Sequence, residues 1–342
     1  MKLTETEEHL HIVVIGTSAG GISALQELVS QLHDGMNAAF FIVMHLSQKG
    51  ISDFLVHKLQ QVAQLPCALA REGAPIQKGH IYIAPADKHL LVAQEGIKFG
   101  YGPKENRWKP AIDMLFRSAA AAFDGRTIGI ILTGYLNDGT SGMLAIKNSG
   151  GTCIVQDPNE AEYPDMPLSV LEHLQADYCV RLSKMGDALE MALQLEKEET
   201  AVPEHVLAEA AIAERAATGI DKLNSLGENS IYSCPDCGGV LFNIQENSFS
   251  HYRCHTGHSF TVKDLLLRQE QEFESTLWVA LRSLEERKTL LHTLENQNTS
   301  RGFQLAAKGY AEKAEELQEH IDRLRRLLVS AQNDDKQKAA SG

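Results

Sequence analysis

The stretch HIVVIGTSAGG, residues 11–21, decides the fold. Its apolar part, residues 12–15, has the β-branched side chains of a buried strand, and the glycines that follow end this strand in a turn. The amphipathic segment ISALQELVSQL comes next, and similar apolar runs alternate with helical segments as far as about residue 195. This alternation is typical of a parallel sheet covered on both faces. We therefore predict a doubly wound α/β domain with a mainly parallel sheet.

The serine in the turn, Ser18, has three interpretations. As a dinucleotide fingerprint the turn is imperfect, because Ser18 stands where a second glycine must let the backbone approach a pyrophosphate. As a Gly-x-Ser-x-Gly motif between a strand and a helix, the match to a nucleophile elbow is complete. Ser18 could also serve only as the cap of the helix. The motif alone leaves the elbow and the cap open.

A histidine, His45, closes the second apolar strand AAFFIVMH. Adjacent parallel strands end side by side, so His45 is in a position to meet a serine that follows the first strand. A general base must come within roughly 2.6–3.2 Å of the hydroxyl that it deprotonates. The alternative is a histidine that bonds only to the backbone at a strand end. We interpret Ser18 as a nucleophile and His45 as its base.

The third candidate is Asp138, which follows the apolar strand at residues 128–132 in a Gly-rich loop. A carboxylate there would orient the imidazole and stabilise its charged form. The alternative is an Asn-Asp-Gly turn without a catalytic role. Because three separate strand ends offer the three residue types required, we predict a Ser-His-Asp triad.

A Cys/His-rich segment occupies residues 229–262. Its CPDCGG motif places Cys234 and Cys237 at the spacing of a metal knuckle, and Cys254 and His258 would complete a Cys3His tetrahedron. His255 is the alternative fourth ligand, with less freedom because it is adjacent to Cys254. We predict a zinc ribbon built on a β-hairpin, with structural zinc. We expect loss of the metal to loosen this segment without abolishing hydrolysis.

Changes in composition divide the chain into four parts: a catalytic domain at 1–195, a linker rich in Glu, Ala and Lys at 196–228, the ribbon at 229–262, and a helical region with a disordered tail at 263–342. Leucines at helical spacing in the last part predict a helical hairpin or a coiled coil. Within the first part, HIYIAPADKHLLVA predicts a hairpin that turns at residues 85–88.

The formal net charge of −13 argues against a broad nucleic-acid surface. The N-terminal stretch MKLTETEEHLH is polar and acidic, unlike a signal peptide. No apolar run approaches the roughly 20 residues that a membrane helix needs. We therefore expect a cytoplasmic protein with no nucleic-acid partner and no membrane insertion.

The span from about His11 to Leu195 resembles the catalytic domain of CheB-type protein-glutamate methylesterases of bacterial chemotaxis. The matching motifs are VVIGTSAGG, FIVMHLS, GHIYIAPADKHL, GPKENRWKPAIDMLF, IILTGYLNDGTSGM and VQDPNEAEYPDMPLSVL. The resemblance implies that Ser18, His45 and Asp138 hydrolyse glutamyl methyl esters on methyl-accepting chemoreceptors and release methanol, without a catalytic cofactor. Some relatives also deamidate receptor glutamines.

The sequence departs from the family pattern near the triad. The family loop usually has Thr-Gly-Met-Gly-x-Asp-Gly, with the backbone N–H of the Met on the oxyanion. Here Tyr135 and Leu136 replace the Met and the following Gly, and Ala19 follows the serine where a polar residue is frequent. We expect Leu136 to affect the path of the loop, because glycine tolerates backbone angles that leucine does not. Family members usually carry an N-terminal phospho-receiver domain; the first strand begins near residue 12, so we expect none here.

Three functions compete at this point. The first is an esterase that acts on a methylated chemoreceptor cytoplasmic domain or a related signalling protein. The second is a hydrolase of the same chemistry with a protein partner outside chemotaxis, and the third is a non-enzymatic signalling scaffold. The intact triad argues against the scaffold. We further hypothesise that the helical region recruits a partner or associates with a second copy.

Overall fold

The computed structural model describes most of the chain, namely residues 10–45, 51–195, 200–214, 226–246 and 249–340. The chain divides into two compact units, one ending at Leu265 and the other beginning at Leu266. Each unit is described by itself below. None of the helices within the described ranges has both the length and the apolar character that crossing a membrane demands.

A seven-stranded parallel sheet forms the centre of the first unit. Its strands are β1 (His11–Thr17), β2 (Ala38–Met44), β3 (Cys67–Leu69), β4 (Ile81–Ile83), β7 (Thr127–Ile131), β8 (Thr152–Gln156) and β9 (Tyr178–Val180), in the order β3-β4-β2-β1-β7-β8-β9. The early strands lie on one side of β1 and the late strands on the other. The direction of winding therefore reverses between β1 and β7, and the doubly wound α/β prediction is confirmed.

Helices cover both faces of this sheet. They are α1 (Gly21–Ser30), α2 (Ile51–Gln60), α3 (Ile112–Phe123), α4 (Thr140–Asn148), α5 (Asp165–His173), α6 (Met185–Leu193) and α7 (Glu204–Glu214). Buried residues of α1, α2 and α6 pack on one face, and those of α3, α4, α5 and α7 on the other. Successive residues of β1 alternate between the two apolar layers, because side chains of a strand point to opposite faces. This explains why β1 is apolar throughout.

The predicted hairpin at residues 80–93 is wrong. The first half, β4, lies in the parallel sheet, where β2 and β3 take up its main-chain groups. The second half, β5 (His89–Ala93), pairs instead with β6 (Gly96–Gly100) in an antiparallel ribbon. The register sets Ala93 opposite Gly96, whose φ of 135° is open to glycine and strained for other residues. The hairpin turn is therefore the two-residue connection at 94–95 between β5 and β6, one strand later than predicted.

A four-stranded antiparallel sheet completes the first unit. Its strands are β10 (Glu228–Ser233), β11 (Val240–Glu246), β12 (Phe249–Cys254) and β13 (Ser259–Thr261), paired in chain order. The β11–β12 pair is the hairpin expected of the ribbon. The preceding helix, α7, falls in the predicted linker, of which residues 196–199 and 215–225 lie outside the described residues. Val206, Glu209 and Ile212 of this helix are buried, so part of the linker is packed structure.

The second unit is a pair of helices, and the first of them begins at the end of the preceding unit. They are α8 (Val262–Ser300) and α9 (Gln304–Ala340), separated at Gly302, which has a φ of 82°. Leu281, Ile321 and Leu328 form the buried contact between them. Of the two predicted alternatives, the structure has the helical hairpin. The tail predicted to be disordered continues α9 to Ala340, because its Ala, Lys and Gln residues favour helix.

The hairpin contact yields a stability prediction. Leu281→Ala should lower the free energy of unfolding of the helical pair by about 2–4 kcal/mol, because it leaves a cavity where Leu281 is buried. Leu290→Ala, on the exposed surface of the same helix, should change it by less than about 0.5 kcal/mol. Denaturant unfolding followed by far-UV circular dichroism measures both variants. Equal effects would show that the two helices do not pack through Leu281.

Candidate active site

The carboxyl ends of β1 and β2 bring Ser18 and His45 to neighbouring positions. Thr17 pairs with Met44 in the parallel register, and the backbone N–H of His45 donates to the carbonyl oxygen of Thr17 at 3.2 Å. Ser18 and His45 are the next residues of their strands, with exposed fractions of 8% and 7%. The sheet edge at the reversal of winding therefore places Ser18 and His45 at adjacent strand ends, both largely shielded from water, and among the described residues no hydrogen bond joins the Ser18 hydroxyl to Nδ1 of His45.

The turn that carries Ser18 is fixed by the loop after β7. The backbone N–H of Ser18 donates to the carbonyl oxygen of Thr133 at 3.1 Å. A Cβ atom on Gly134 would lie 2.8 Å from the Cβ of Ser18, so only glycine lets the loop approach this closely. Gly20, with a φ of 72°, leads directly into α1. The serine is thus held between a helix N-terminus and a glycine loop.

Asp138 contacts the histidine from the other side. Its Oδ2 lies 2.7 Å from Nε2 of His45, and both side chains are buried. An ionised carboxylate only accepts hydrogen bonds, so this contact assigns the ring hydrogen to Nε2 and leaves Nδ1 as an acceptor. Within the described parts of the chain, the buried Nδ1 atom has no hydrogen-bond partner. This nitrogen is therefore available to take a proton from a hydroxyl group.

The Asp138 carboxylate is stabilised in its charged form. Burial acts to raise its pKa, but hydrogen bonds from His45, from Nδ2 of Asn106 at 2.9 Å and from the backbone N–H of Ile112 at 2.7 Å outweigh burial. The pKa of Asp138 is consequently below its ordinary value. A group that is ionised near neutral pH is suited to orient an imidazole and stabilise the imidazolium form.

A second carboxyl group, Asp113, lies next to Asp138 and behaves differently. The Nδ2 atom of Asn106 donates to both, at 2.7 Å to Oδ2 of Asp113. The backbone N–H groups of Gly139 and Gly142 donate to the other oxygen of Asp113. Burial and the neighbouring charge of Asp138 raise the pKa of Asp113 well above its usual range. The environment thus shifts the pKa values of two adjacent carboxyl groups in opposite directions and favours the negative charge on Asp138.

Besides Asp113, sequence reasoning missed two further residues of this site. Trp108 stacks on the imidazole of His45, with ring centroids 4.2 Å apart and planes 6° apart. Asn106 bridges the two carboxyl groups, and its φ of 47° is a conformation that Asn tolerates better than most residues. Both belong to the motif GPKENRWKPAIDMLF, whose pattern indicates the family resemblance but no role for either residue. The available signal was an aromatic and polar segment directly ahead of an apolar helix.

The four predicted metal ligands come together in the four-stranded sheet. One ligand atom from each of Cys234, Cys237, Cys254 and His258 lies within 4.8 Å of the others. Of the two histidine candidates, His258 joins this group, with Nδ1 3.4 Å from Sγ of Cys254. Three thiols and one imidazole at such separations match the donor set of a tetrahedral zinc site.

A serine, a histidine and a buried carboxylate at the carboxyl edge of a parallel sheet define a hydrolase-type site. Residues 13–189 match the family model described as CheB methylesterase, and the chain belongs to this family, whose members are hydrolases that act on methyl esters. The four-stranded sheet and the long helices lie outside the matched residues.

Individual relatives agree with this assignment. A relative from Leptospira interrogans is 34% identical over 176 residues, which cover 51% of this chain and 91% of the relative. The protein-glutamate methylesterase/protein-glutamine glutaminase of Thermotoga maritima is 36% identical over 182 residues, 52% of this chain and 53% of the relative. The crystal structure of the Thermotoga maritima CheB methylesterase catalytic domain matches with a TM-score of 0.50 and 33% identity, covering 53% of this chain and 97% of that one.

The loop beside Ser18 yields a prediction. Leu136 has a φ of 66°, the left-handed conformation that glycine adopts freely. The leucine is therefore accommodated on a path open to glycine, with backbone strain. Leu136→Gly should be about 0.5–1 kcal/mol more stable to unfolding than Leu136→Ala, because relief of strain exceeds the added entropy of the unfolded chain. Thermal or denaturant unfolding of both variants tests this, and a more stable alanine variant would contradict it.

Proposed function

We propose that this chain is a protein-glutamate methylesterase in which Ser18 is the nucleophile, His45 the general base and Asp138 the residue that orients the base. The observation that carries the proposal is the 2.7 Å contact between Nε2 of His45 and Asp138, which leaves Nδ1 of His45, without a hydrogen-bond partner among the described residues, as the atom that can accept the proton of Ser18. Membership of the CheB methylesterase family supports the ester of a glutamate side chain as the substrate.

The first half of the reaction forms an ester of Ser18. Its Oγ attacks the carbonyl carbon of the methyl ester while its proton passes to Nδ1 of His45, and Asp138 stabilises the resulting imidazolium. The backbone N–H of Tyr135 and the N-terminus of α1 stabilise the oxyanion. The imidazolium then returns the proton to the leaving methoxy oxygen, so methanol departs and an acyl-enzyme remains.

The second half releases the product. His45 takes a proton from a water molecule, whose oxygen attacks the acyl carbon, and the proton returns to Oγ of Ser18. The products are a free glutamate carboxyl group and the regenerated serine. The same steps on a glutamine side chain would release ammonia, in line with the double name of the relatives. Stacking of Trp108 on His45 limits the orientation of the ring during both proton transfers.

The proposed substrate is the methylated cytoplasmic domain of a chemoreceptor or a related signalling protein, and the location that we propose with it is the cytoplasm. The exposed ring of Tyr135 packs on Tyr163 with centroids 4.4 Å apart, next to the glycine loop at Ser18. This aromatic pair offers a surface for a protein substrate. A methylated protein outside chemotaxis remains the second candidate, and assays on both substrates separate the two.

The nucleophile is tested by Ser18→Ala. Methanol release from methylated receptor should fall by at least about 10³-fold, because the variant lacks the attacking oxygen. Ser30→Ala, at the exposed end of α1, is the matched control and should retain full activity. Methanol is measured by gas chromatography, with circular dichroism to verify the fold. Retention of more than a few per cent of activity by Ser18→Ala would remove the triad assignment.

We also propose that Cys234, Cys237, Cys254 and His258 hold a structural zinc ion. The donor set supports this, since four protein ligands fill a tetrahedron and leave no position for a substrate. Cys254 and Cys234 are buried among Leu241, Phe260 and Leu265, so the ion would link the strands around a small apolar cluster.

Metal analysis of purified protein tests the zinc proposal. The wild type should contain about one zinc ion per chain, and Cys254→Ser should lose most of it, because a thiolate ligand is removed. Cys179→Ser changes an exposed thiol outside the cluster and should keep the metal. Elemental analysis after dialysis gives the ratio. Equal zinc content in the two variants would reject the assignment.

We further propose that the second unit mediates association with another helix. Phe273, Leu290 and Val329 are exposed apolar side chains on the two long helices. Such side chains suit contact with another helix, from a partner or from a second copy of this chain.

A further inference from the structure

Arg253, in β12, is buried between two carboxylates of other segments. Its Nη1 atom lies 2.5 Å from Oε1 of Glu105, and its Nη2 atom lies 3.8 Å from Oε2 of Glu209. Glu105 precedes α3, whereas Glu209 belongs to α7. A single guanidinium of the four-stranded sheet therefore connects two segments that lie against the parallel sheet.

The two carboxylates share a second cation, Arg117 of α3. Its guanidinium lies 3.1 Å from Glu105 and 2.8 Å from Glu209, and all four side chains are at most 2% exposed. Burial acts to raise the pKa of each glutamate, but it is outweighed at Glu105 by Arg117 and Arg253, and at Glu209 by Arg117, His251 and Arg253, so both pKa values lie below their usual range. Without Arg253, the two buried negative charges would share one arginine, with the ring of His251 3.1 Å from Glu209 as a further contact, and Glu105 in particular would be poorly compensated.

Backbone contacts extend this connection to the triad. The backbone of Glu105 forms an isolated β-bridge with that of Ser259 in β13, and the N–H of Asn106 donates to the carbonyl oxygen of Ser259 at 2.9 Å. The side chain of Asn106 in turn donates to Asp138. The four-stranded sheet thus fixes the main chain of the residue that holds one oxygen of the Asp138 carboxylate.

A second contact reaches Asp138 from its other flank. The hydroxyl of Thr261, at the end of β13, lies 3.0 Å from Oδ1 of Asn137, the residue before Asp138, and 2.7 Å from Oδ2 of Asp264. One hydroxyl has a single hydrogen to donate. Burial raises the pKa of Asp264 to about 6, and when protonated Asp264 donates to Thr261, which then donates to Asn137.

We propose that the four-stranded sheet is a positioning element of the active site, which fixes through Arg253 and Thr261 the two segments that bracket Asp138. This inference rests on the proposed function of the triad. It replaces the sequence-based expectation that loosening the ribbon leaves hydrolysis intact. Within the described residues, Arg253 and Thr261 form no hydrogen bond or ion pair with Ser18 or His45, so they act through Asn106 and Asn137.

The full-length variant Arg253→Met is the first test. Its kcat for methanol release should fall about 10- to 100-fold with KM within about twofold, because misplacement of Asp138 affects proton transfer more than binding. Arg253→Lys keeps a cation near the glutamates and should recover part of kcat. Arg282→Met, which removes an exposed arginine of α8, is the control and should match the wild type. Zinc content and circular dichroism report whether each variant is folded.

Thr261→Val keeps the size of the side chain and changes no charge, so it decides the matter if Arg253→Met fails to fold. Loss of the hydrogen bond to Asn137 should lower kcat by about twofold to tenfold, with the larger effect below about pH 6, where Asp264 is protonated and the Thr261 hydroxyl donates to Asn137. Labelling of Ser18 by a fluorophosphonate probe gives a second rate that is independent of the protein substrate. Folded Arg253→Met and Thr261→Val variants with wild-type kcat and labelling rates would overturn the positioning role. Absence of labelling in the wild type would instead reject the proposed function.

Discussion

The carboxylate of Asp138 is buried, and it keeps its charge only because hydrogen bonds replace the water that it has lost. These bonds come from three parts of the chain: His45 at the end of β2, Asn106 ahead of α3, and the first N–H group of α3 at Ile112. The helix N-terminus adds its partial positive charge. The two oxygens of this one carboxylate therefore constrain how β2, β7 and α3 are placed relative to one another.

The parallel sheet and the surrounding loops contribute different things to this centre. The sheet brings the ends of β1, β2 and β7 to one edge, because parallel neighbours in register end together. It does not set the rotation of the side chains. That is done by Trp108 stacked on His45, by Asn106 between Asp113 and Asp138, and by the glycine loop against Ser18. The segment at residues 105–108 consequently has as much influence on geometry as the strands.

Sequence reasoning found what depends on local pattern. The apolar runs and the Gly-rich turns indicate the strand ends and therefore Ser18, His45 and Asp138, and the cysteine spacing indicates the Cys/His cluster at Cys234. It missed Asn106, Trp108 and Arg253, because their roles arise from contacts between segments distant in sequence. The hairpin error had the same origin. Strand β4 has the apolar character of a hairpin strand, and only the presence of β2 and β3 on either side decides its pairing.

The ion network around Arg253 joins the four-stranded sheet to the segments that carry Glu105 and Glu209. Its desolvation costs more free energy than that of an apolar contact of similar volume. Unlike apolar contacts, ion pairs and hydrogen bonds depend strongly on the relative orientation of the two groups. Apolar surfaces pack in several nearly equivalent registers, whereas Arg253 meets its lowest energy only when Glu105 and Glu209 both face it. The Asn106 N–H likewise has a single acceptor in Ser259. The proposed proton transfer between Ser18 and His45 tolerates only placement errors well below about 1 Å. An interface whose polar contacts specify one register is therefore suited to adjoin the residues that orient this pair.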